Sequence, residues 1–412
     1  MYLMYLYKTN DYSICIYYVF YTINSYSNIK KGGGKPLITK QFSLNQTPGY
    51  PFDQEYDLQK LVFFDIETTG FAADMTYLYL IGAAYYQDST FHLIQWFSEG
   101  IEEEALLITS FFKFMKERNV LIHYNGNGFD IPYLLRKCEL LGLDYSFDSI
   151  ISIDIYKRIL PYKKIFHLES LKLKSLEKFL NLHRKDTFSG GDLIQVYQSY
   201  LGKKHFEVLW KHRNSERTLP LPTESEQLLG QLLLHNEEDI KGLLLISPIL
   251  FYADLFEKPI HILQAAVEGD LLRIHYQTTA NLPTPISFGN DLAHMAAYET
   301  TATLQVRIYE GELKYYYDDY KDYYYLPAED YAIHKSLATY VDKEFRVKAK
   351  PATCYVKKEG VFAPQYETLI SPYFKLKHTD KLSFLEVHTD FLLQEETLEQ
   401  YVKYMMGWLL SK

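Results

Sequence analysis

The stretch whose reading decides the fold is LVFFDIETTG, residues 61–70. Four apolar residues run into Asp65 and Glu67, and a Thr-Thr-Gly turn closes the segment. The short apolar run reads as a strand with a buried end. Alternate side chains on a strand point the same way, so Asp65 and Glu67 project together from its end. Two anions held this close repel unless a cation lies between them, and hard carboxylate oxygens suit Mg²⁺ or Mn²⁺. Alone, the pair also fits a solvated strand end. The Thr68-Thr69-Gly70 turn lets another backbone come close, and Thr68 is a candidate binding residue there.

On either side of this strand the pattern is α/β. YLYLIGAAYYQ (77–87), TFHLIQWF (90–97) and VLIHYN (120–125) read as further strands. EEEALLITSFFKFMKER (102–118) has acids in its first turn and bases in its last, as a helix dipole prefers. FDIPYLLRKCELLG (129–142) reads as a helix with Pro early and Gly late. LKSLEKFL (173–180) and ESEQLLGQLLLHNEEDIKGLLLI (224–246) are further helices. After Lys258-Pro259 the texture changes to strand-like alternation in LLRIHYQTTA, ATLQVRIYEG and EFRVKAK, with one helix expected over AEDYAIHKSLATYVDK. The expected organisation is a leader over 1–56, an α/β domain over 57–256 and a smaller β-rich α+β domain over 257–412.

The 412 residues carry 43 basic and 52 acidic side chains, a net charge of −9, which excludes a uniformly basic coat but not local basic grooves. Three dispersed cysteines without a CxxC pair imply neither a disulfide framework nor a zinc site, and point to a reducing, cytoplasmic setting. No apolar run reaches the roughly 18 residues of a membrane span. Residues 1–36 are rich in Tyr, Asn, Ser and Ile and end in KKGGGKP. They read either as translated upstream sequence or as a flexible leader.

Two further segments carry acids in suggestive places. In NGNGFDIPYLL (125–135) a strand gives way to a Gly-rich turn, and Asp130 falls in the first turn of a helix, where it also suits the helix dipole. In HNEEDI (235–240) His235 and Asp239 are four apart on a helix and share a face. Glu237 and Glu238 read there as a solvated face.

Taken in order, DIETTG, the NGxxFD-like segment and the helical HxxxD resemble the DEDD 3′–5′ exonucleases of the ribonuclease H-like superfamily, and more narrowly the bacterial YprB-type proteins. The resemblance covers roughly residues 57–256. It implies a mixed five-stranded sheet flanked by helices, with the first strand central. It further implies that Asp65, Glu67, Asp130 and Asp239 hold two Mg²⁺ or Mn²⁺ ions about 4 Å apart. Asp65 would bridge both, Glu67 and Asp239 would help hold the ion that activates water, and Asp130 would act on the other through water. The implied partner is the single-stranded or frayed 3′ end of DNA or RNA, hydrolysed to nucleoside monophosphates.

One position departs from the pattern. The spacing before the last Asp is that of the tyrosine class, yet the residue is His235. It reads as a group that orients or deprotonates the attacking water, or as a His that only lines the site. Asn125 and Phe129 fall on the substrate side, Asn125 with the alternative of closing its own turn. Asp154 reads as structural. In the C-terminal part, Arg346, Lys348 and Lys350 alternate as if along one strand face, with tyrosines 315–317 and 323–325 as stacking partners; the alternative is a solvated outer face. That part also offers a surface for a protein partner. Two other readings of the whole chain stand beside the exonuclease: a nucleic-acid-binding protein with weak catalysis, and a structure-selective endonuclease.

Overall fold

The computed structural model describes residues 37–184, 190–213 and 222–411. Contacts divide the chain into two compact units.

The first unit comprises Phe52–Ile153 and Arg184–Leu244 together with the chain up to Thr47. Its sheet uses β1 (Ile38–Ser43), β2 (Leu61–Thr68), β3 (Leu78–Gln87), β4 (Thr90–Phe97), β5 (Val120–His123) and β6 (Ile151–Asp154) in the order β1-β4-β3-β2-β5-β6. Helices α1 (Glu104–Met115) and α2 (Asp130–Leu141) lie between β4 and β6 in the chain. The β3–β4 hairpin turns on Asp88 and Ser89, both at positive φ, as a tight two-residue loop matched to strand twist requires. Strand β2 is central, antiparallel to β3 and parallel to β5.

Leu61 to Phe64 are essentially without exposure because β2 is covered on both faces. Val62, Phe64 and Ile66 pack with Leu107, Ile108 and Phe111 of α1 and Leu134 of α2. A second core joins Tyr79, Leu80 and Phe97 to the helices α5 (Gly190–Arg213) and α6 (Glu224–Leu245), through Leu193, Tyr197, Tyr200, Leu232 and Leu233. Between β6 and α5 the chain contributes α3 (Ile155–Ile159) and α4 (Leu173–Phe179) to the second unit.

The sheet has six strands, not five. The extra one is β1, from residues expected to belong to a leader: Ile38–Ser43 pair antiparallel with Phe97–His92 at the sheet edge. Phe52, also in that span, is buried edge-on to Phe63 at 5.7 Å. Residues 1–36 lie outside the described residues.

The second unit holds Pro48–Pro51, Asp154–His183 and Leu245–Lys412. After α7 (Phe251–Glu257) come the long antiparallel strands β7 (Ile260–Glu268), β8 (Leu271–Gly289) and β9 (Ala293–Arg307). The expected strand over 271–280 thus runs on to Gly289. Its ladder shifts register between Gln277 and Ile286, and Pro283 and Pro285 sit in that irregular stretch, where a missing N–H is tolerated. Next come β10 (Tyr309–Tyr316), β11 (Tyr323–Leu326), β12 (Tyr331–His334), α8 (Lys335–Ala338), β13 (Val347–Lys348), β14 (Tyr355–Gln365), β15 (Tyr373–Phe374) and β16 (Ser383–Glu386). They form sheets ordered β10-β14-β16-β15 and β12-β11-β13, and α9 (Thr389–Leu393) and α10 (Glu395–Ser411) close the chain.

The helix expected over AEDYAIHKSLATYVDK is instead the strand β12 followed by the single turn α8. Residues 331–334 pair with 326–323 of β11, and that ladder outweighs a helical pattern supported by no long apolar stripe. EFRVKAK likewise holds only a two-residue strand.

Candidate active site

Strand β3 flanks β2 along its length, but β5 does so only over Leu61–Phe63. Beyond Phe63, the β5 side of β2 needs other hydrogen-bond partners. Asp130 supplies one: its Oδ1 accepts the Ile66 N–H at 3.3 Å. A tight turn brings Asp130 there. Asn125 adopts φ 60°, the Gly126 N–H donates to His123 Nδ1 at 3.0 Å, and the Gly128 N–H donates to the Asn125 carbonyl at 2.8 Å. A Cβ on Gly126 would lie 2.6 Å from that imidazole nitrogen, so the turn requires glycine. With Nδ1 accepting, the proton of His123 sits on Nε2, which donates to Ser152 Oγ at 2.8 Å; Ser152 donates in turn to Asn127 Oδ1 at 2.9 Å. Asp130 emerges as the first residue of α2 and is buried.

Helix α6 brings the remaining groups. His235 Nε2 lies 3.2 Å from Asp239 Oδ2 and 3.8 Å from Glu67 Oε1. Glu67, His235 and Asp239 each present one ligand atom, all within 4.8 Å of one another, and His235 and Glu67 are buried. Arg184 Nη2 stands 2.5 Å from Asp239 Oδ1.

The electrostatics record the crowding. Burial, followed by the carboxylates of Asp239, Asp130 and Glu67, pushes the Asp65 carboxyl well above its ordinary range; a hydrogen bond from Asn236 opposes this. Burial also acts to raise Asp239, but the hydrogen bond from His235 and the Arg184 guanidinium outweigh it and hold that carboxyl low. Thus the other three carboxylates singled out in the sequence lie within electrostatic reach of Asp65. Clustered buried carboxylates with one imidazole are hard oxygen donors plus a borderline nitrogen, a set that fits a divalent cation.

The other expected site residues fall as follows. Thr68 Oγ1 donates to the Gly70 carbonyl at 2.8 Å within the turn that follows β2. Asn125 occupies the left-handed position of its turn. The Phe129 ring lies 5.8 Å from Phe71 and 5.5 Å from Tyr133. Phe71, which sequence reasoning passed over, is 91% exposed. Asp154 caps α3, accepting the Lys157 N–H at 3.2 Å. In the second unit, the Arg346 guanidinium lies over the Tyr324 ring at 5.1 Å, Lys348 faces Tyr324 across the ladder, and Lys350 precedes a helical turn rather than continuing the strand. Glu237 is not a solvated residue: Lys40 Nζ approaches it at 3.0 Å and Lys241 Nζ at 2.5 Å.

Residues 62–250 match the family model RNase_H_2 of the RNase H superfamily. A DNA polymerase of Pyrococcus glycovorans is 31% identical over 102 residues, which is 23% of this chain and 13% of the polymerase. A DNA polymerase of Ostreid herpesvirus 1 (isolate France) is 35% identical over 51 residues, 12% of this chain and 3% of that protein. The chain thus spans only a small part of the length of either curated relative. Among solved structures, the family B DNA polymerase of Pyrobaculum calidifontis aligns with 68% of this chain and 38% of its own at 12% identity and a TM-score of 0.30. The central mixed sheet flanked by helices is ribonuclease H-like, a fold whose nucleases generally use divalent metals. Among the described residues, no helix is long and apolar enough to cross a membrane.

Proposed function

We propose that the chain is a divalent-metal-dependent 3′–5′ exonuclease acting on single-stranded or frayed nucleic acid. One observation carries the reading: groups distant in sequence meet, with ligand atoms of Glu67, His235 and Asp239 within 4.8 Å of one another and Asp130 bonded to the Ile66 N–H, next to Asp65 on the same strand. Crowding anions without function costs stability, whereas crowding them around cations does not. In this reading the four carboxylates hold Mg²⁺ or Mn²⁺. When bound, such ions supply hydroxide at neutral pH and stabilise charge on the attacking and leaving oxygens of a phosphodiester.

The chain's own groups divide the remaining work. His235 donates to or shares a proton with Asp239 and holds that carboxylate toward Glu67. Asp130 ties the end of β2 to α2 through the Ile66 N–H. Phe71 and Phe129 form an aromatic edge next to the strand end, suited to stack on a terminal base. Arg346 and Lys348, beside Tyr324, are suited to follow a phosphate backbone. The YprB-type affiliation agrees with the order and spacing of the three acidic segments.

The test is digestion of 3′-labelled single-stranded DNA and RNA with Mg²⁺, Mn²⁺ or chelator, beside Asp65→Asn. Metal-dependent release of mononucleotides, lost in Asp65→Asn, is expected. Cutting of circular substrates would replace the exonuclease by an endonuclease on the same fold. Binding without hydrolysis under any metal would leave a nucleic-acid-binding protein.

A further inference from the structure

Two uncharged side chains on the Asp65 side of the sheet are fully buried and take no part in the chemistry above. They are Gln95 on β4 and Asn236 on α6. Buried amides are costly unless hydrogen-bonded, so their partners define their orientation. The Leu233 carbonyl can only accept, so the Gln95 atom facing it at 2.8 Å is Nε2. The same nitrogen reaches Asn236 at 3.0 Å, and the atom it meets is therefore Oδ1. Asn236 Nδ2 is left to donate to Asp65 Oδ2 at 3.2 Å. One backbone carbonyl thus dictates, through two amides, which group meets the carboxylate.

The sheet makes room for this chain. Asp65, Gly82 and Gln95 are direct partners across β2, β3 and β4 and share one face. Asp65 and Gln95 are two strand spacings apart, roughly 9–10 Å, too far to bond directly. Asn236 fills the gap by lying over Gly82: a Cβ there would stand 1.9 Å from Asn236 Oδ1 and 2.8 Å from its Cγ. Just beyond, Lys40 faces Gln95 across β1 and pairs with Glu237, the neighbour of Asn236 on α6.

We propose that Gln95, Asn236 and Gly82 form a positioning relay that keeps Asp65 Oδ2 a hydrogen-bond acceptor and aims the rest of the carboxylate at a divalent cation. The proposal rests on the metal-dependent reading above. It separates these residues from ordinary buried polar groups, because the relay acts on metal affinity and not on folding alone. Outer-sphere partners of metal ligands typically alter affinity 10- to 100-fold.

The experiment is titration of the full chain with Mn²⁺, followed by electron paramagnetic resonance, for the parent, Asn236→Ala, Gln95→Met and the double variant. Thermal melts in chelator run alongside. Each single variant is expected to weaken Mn²⁺ binding by about tenfold or more. The double variant is expected to bind no more weakly than Asn236→Ala, since Gln95 acts only through Asn236. Should Asn236→Ala fail to fold, Gln95→Met, close in volume to the parent, carries the expectation alone. Parental Mn²⁺ affinity in Gln95→Met would overturn the relay, as would losses that multiply in the double variant. Those results leave the nuclease reading standing if the parent binds Mn²⁺ and cleaves. A parent that binds no Mn²⁺ overturns both.

Discussion

Lys137→Met should destabilise the protein by about 3–5 kcal/mol, the usual cost of stranding one member of a buried ion pair. Lys137 on α2 and Glu104 on α1 are both almost fully buried, with Nζ 2.9 Å from Oε1. The ammonium also donates to the Thr76 carbonyl at 2.5 Å and lies 5.4 Å from the Tyr77 ring and 5.8 Å from the Tyr133 ring. Glu104 has a second task, because its Oε1 accepts the Leu78 N–H at 2.7 Å where β3 begins. Without the lysine, a carboxylate remains away from water with the Leu78 N–H as a neutral donor. Glu104→Gln keeps the shape and an oxygen for Leu78, so the double variant Lys137→Met/Glu104→Gln removes both charges and leaves no stranded ion. It should recover most of the loss, giving a coupling of about 2 kcal/mol or more in a double-mutant cycle. Urea unfolding of all four proteins measures this. The reasoning is refuted if Lys137→Met costs less than about 1 kcal/mol, or if the two single losses simply add. Lys137 lies two turns beyond Asp130 on the same face of α2, so loosening this pair should also lower hydrolysis by the folded enzyme.

Asp65→Asn should abolish hydrolysis, by at least about a thousandfold, and yet raise the melting temperature of metal-free protein by removing the crowded charge. The sign follows from the raised carboxyl of Asp65. The unfolded chain releases that proton first, so stability of the metal-free protein falls as pH climbs from the ordinary carboxylate range toward the folded value. Melts between pH 4 and 8 in chelator should show this decline superimposed on the other titrations, and Asp65→Asn should flatten it. His235→Ala should lower hydrolysis at least about tenfold by releasing Asp239, with His235→Tyr retaining more; equal activity in parent and alanine variant excludes the role. Gly82→Ala should cost about 1–3 kcal/mol in urea unfolding, from overpacking against Asn236. Reversing Arg346 and Lys348 to Glu should weaken oligonucleotide binding and shallow its salt dependence by roughly two charges; an unchanged salt slope removes that surface from the substrate path.

The fold was legible where burial is two-sided. The run LVFF can satisfy its side chains only in the middle of a layered sheet, and β2 is indeed covered by α1 and α2 on one face, while on the other Phe63 packs against Phe52 and Phe91 and Asp65 meets Asn236 of α6. The pattern failed at edges. β1 alternates exposed and half-buried residues, ITKQFS, with no apolar run to announce it, and pairing with β4 supplies what its composition lacks. Helix α5 escaped for a related reason: its core contacts are spread as Leu193, Tyr197 and Tyr200 among polar neighbours. The same holds for the strand β12, whose sequence carries helix formers and whose ladder with β11 decides.

The acids that the fold draws together could be picked out as candidates because each stands at a junction, a strand end, a helix start or one helix face, where ordinary packing gives a carboxylate little reason to be. What surrounds them could not. Asn236 sits between His235 and Glu237 in a run that looks solvated, and Gln95 sits inside an apolar strand where a lone polar residue seems incidental. Gly82 looks like a flaw in a strand. Their roles depend on a three-strand register and the placement of one helix over it, neither of which spacing along the chain encodes. A glycine inside a strand nonetheless signals close approach of another group. Here it lies opposite a proposed metal ligand, with a glutamine as its other cross-strand partner. That conjunction is what allows a helix amide to enter the sheet surface and touch Asp65. A larger residue at position 82 would press α6 away from β3, and His235 and Asp239 would be carried off with it. The acidic cluster is thus as dependent on the absence of one side chain as on the presence of four.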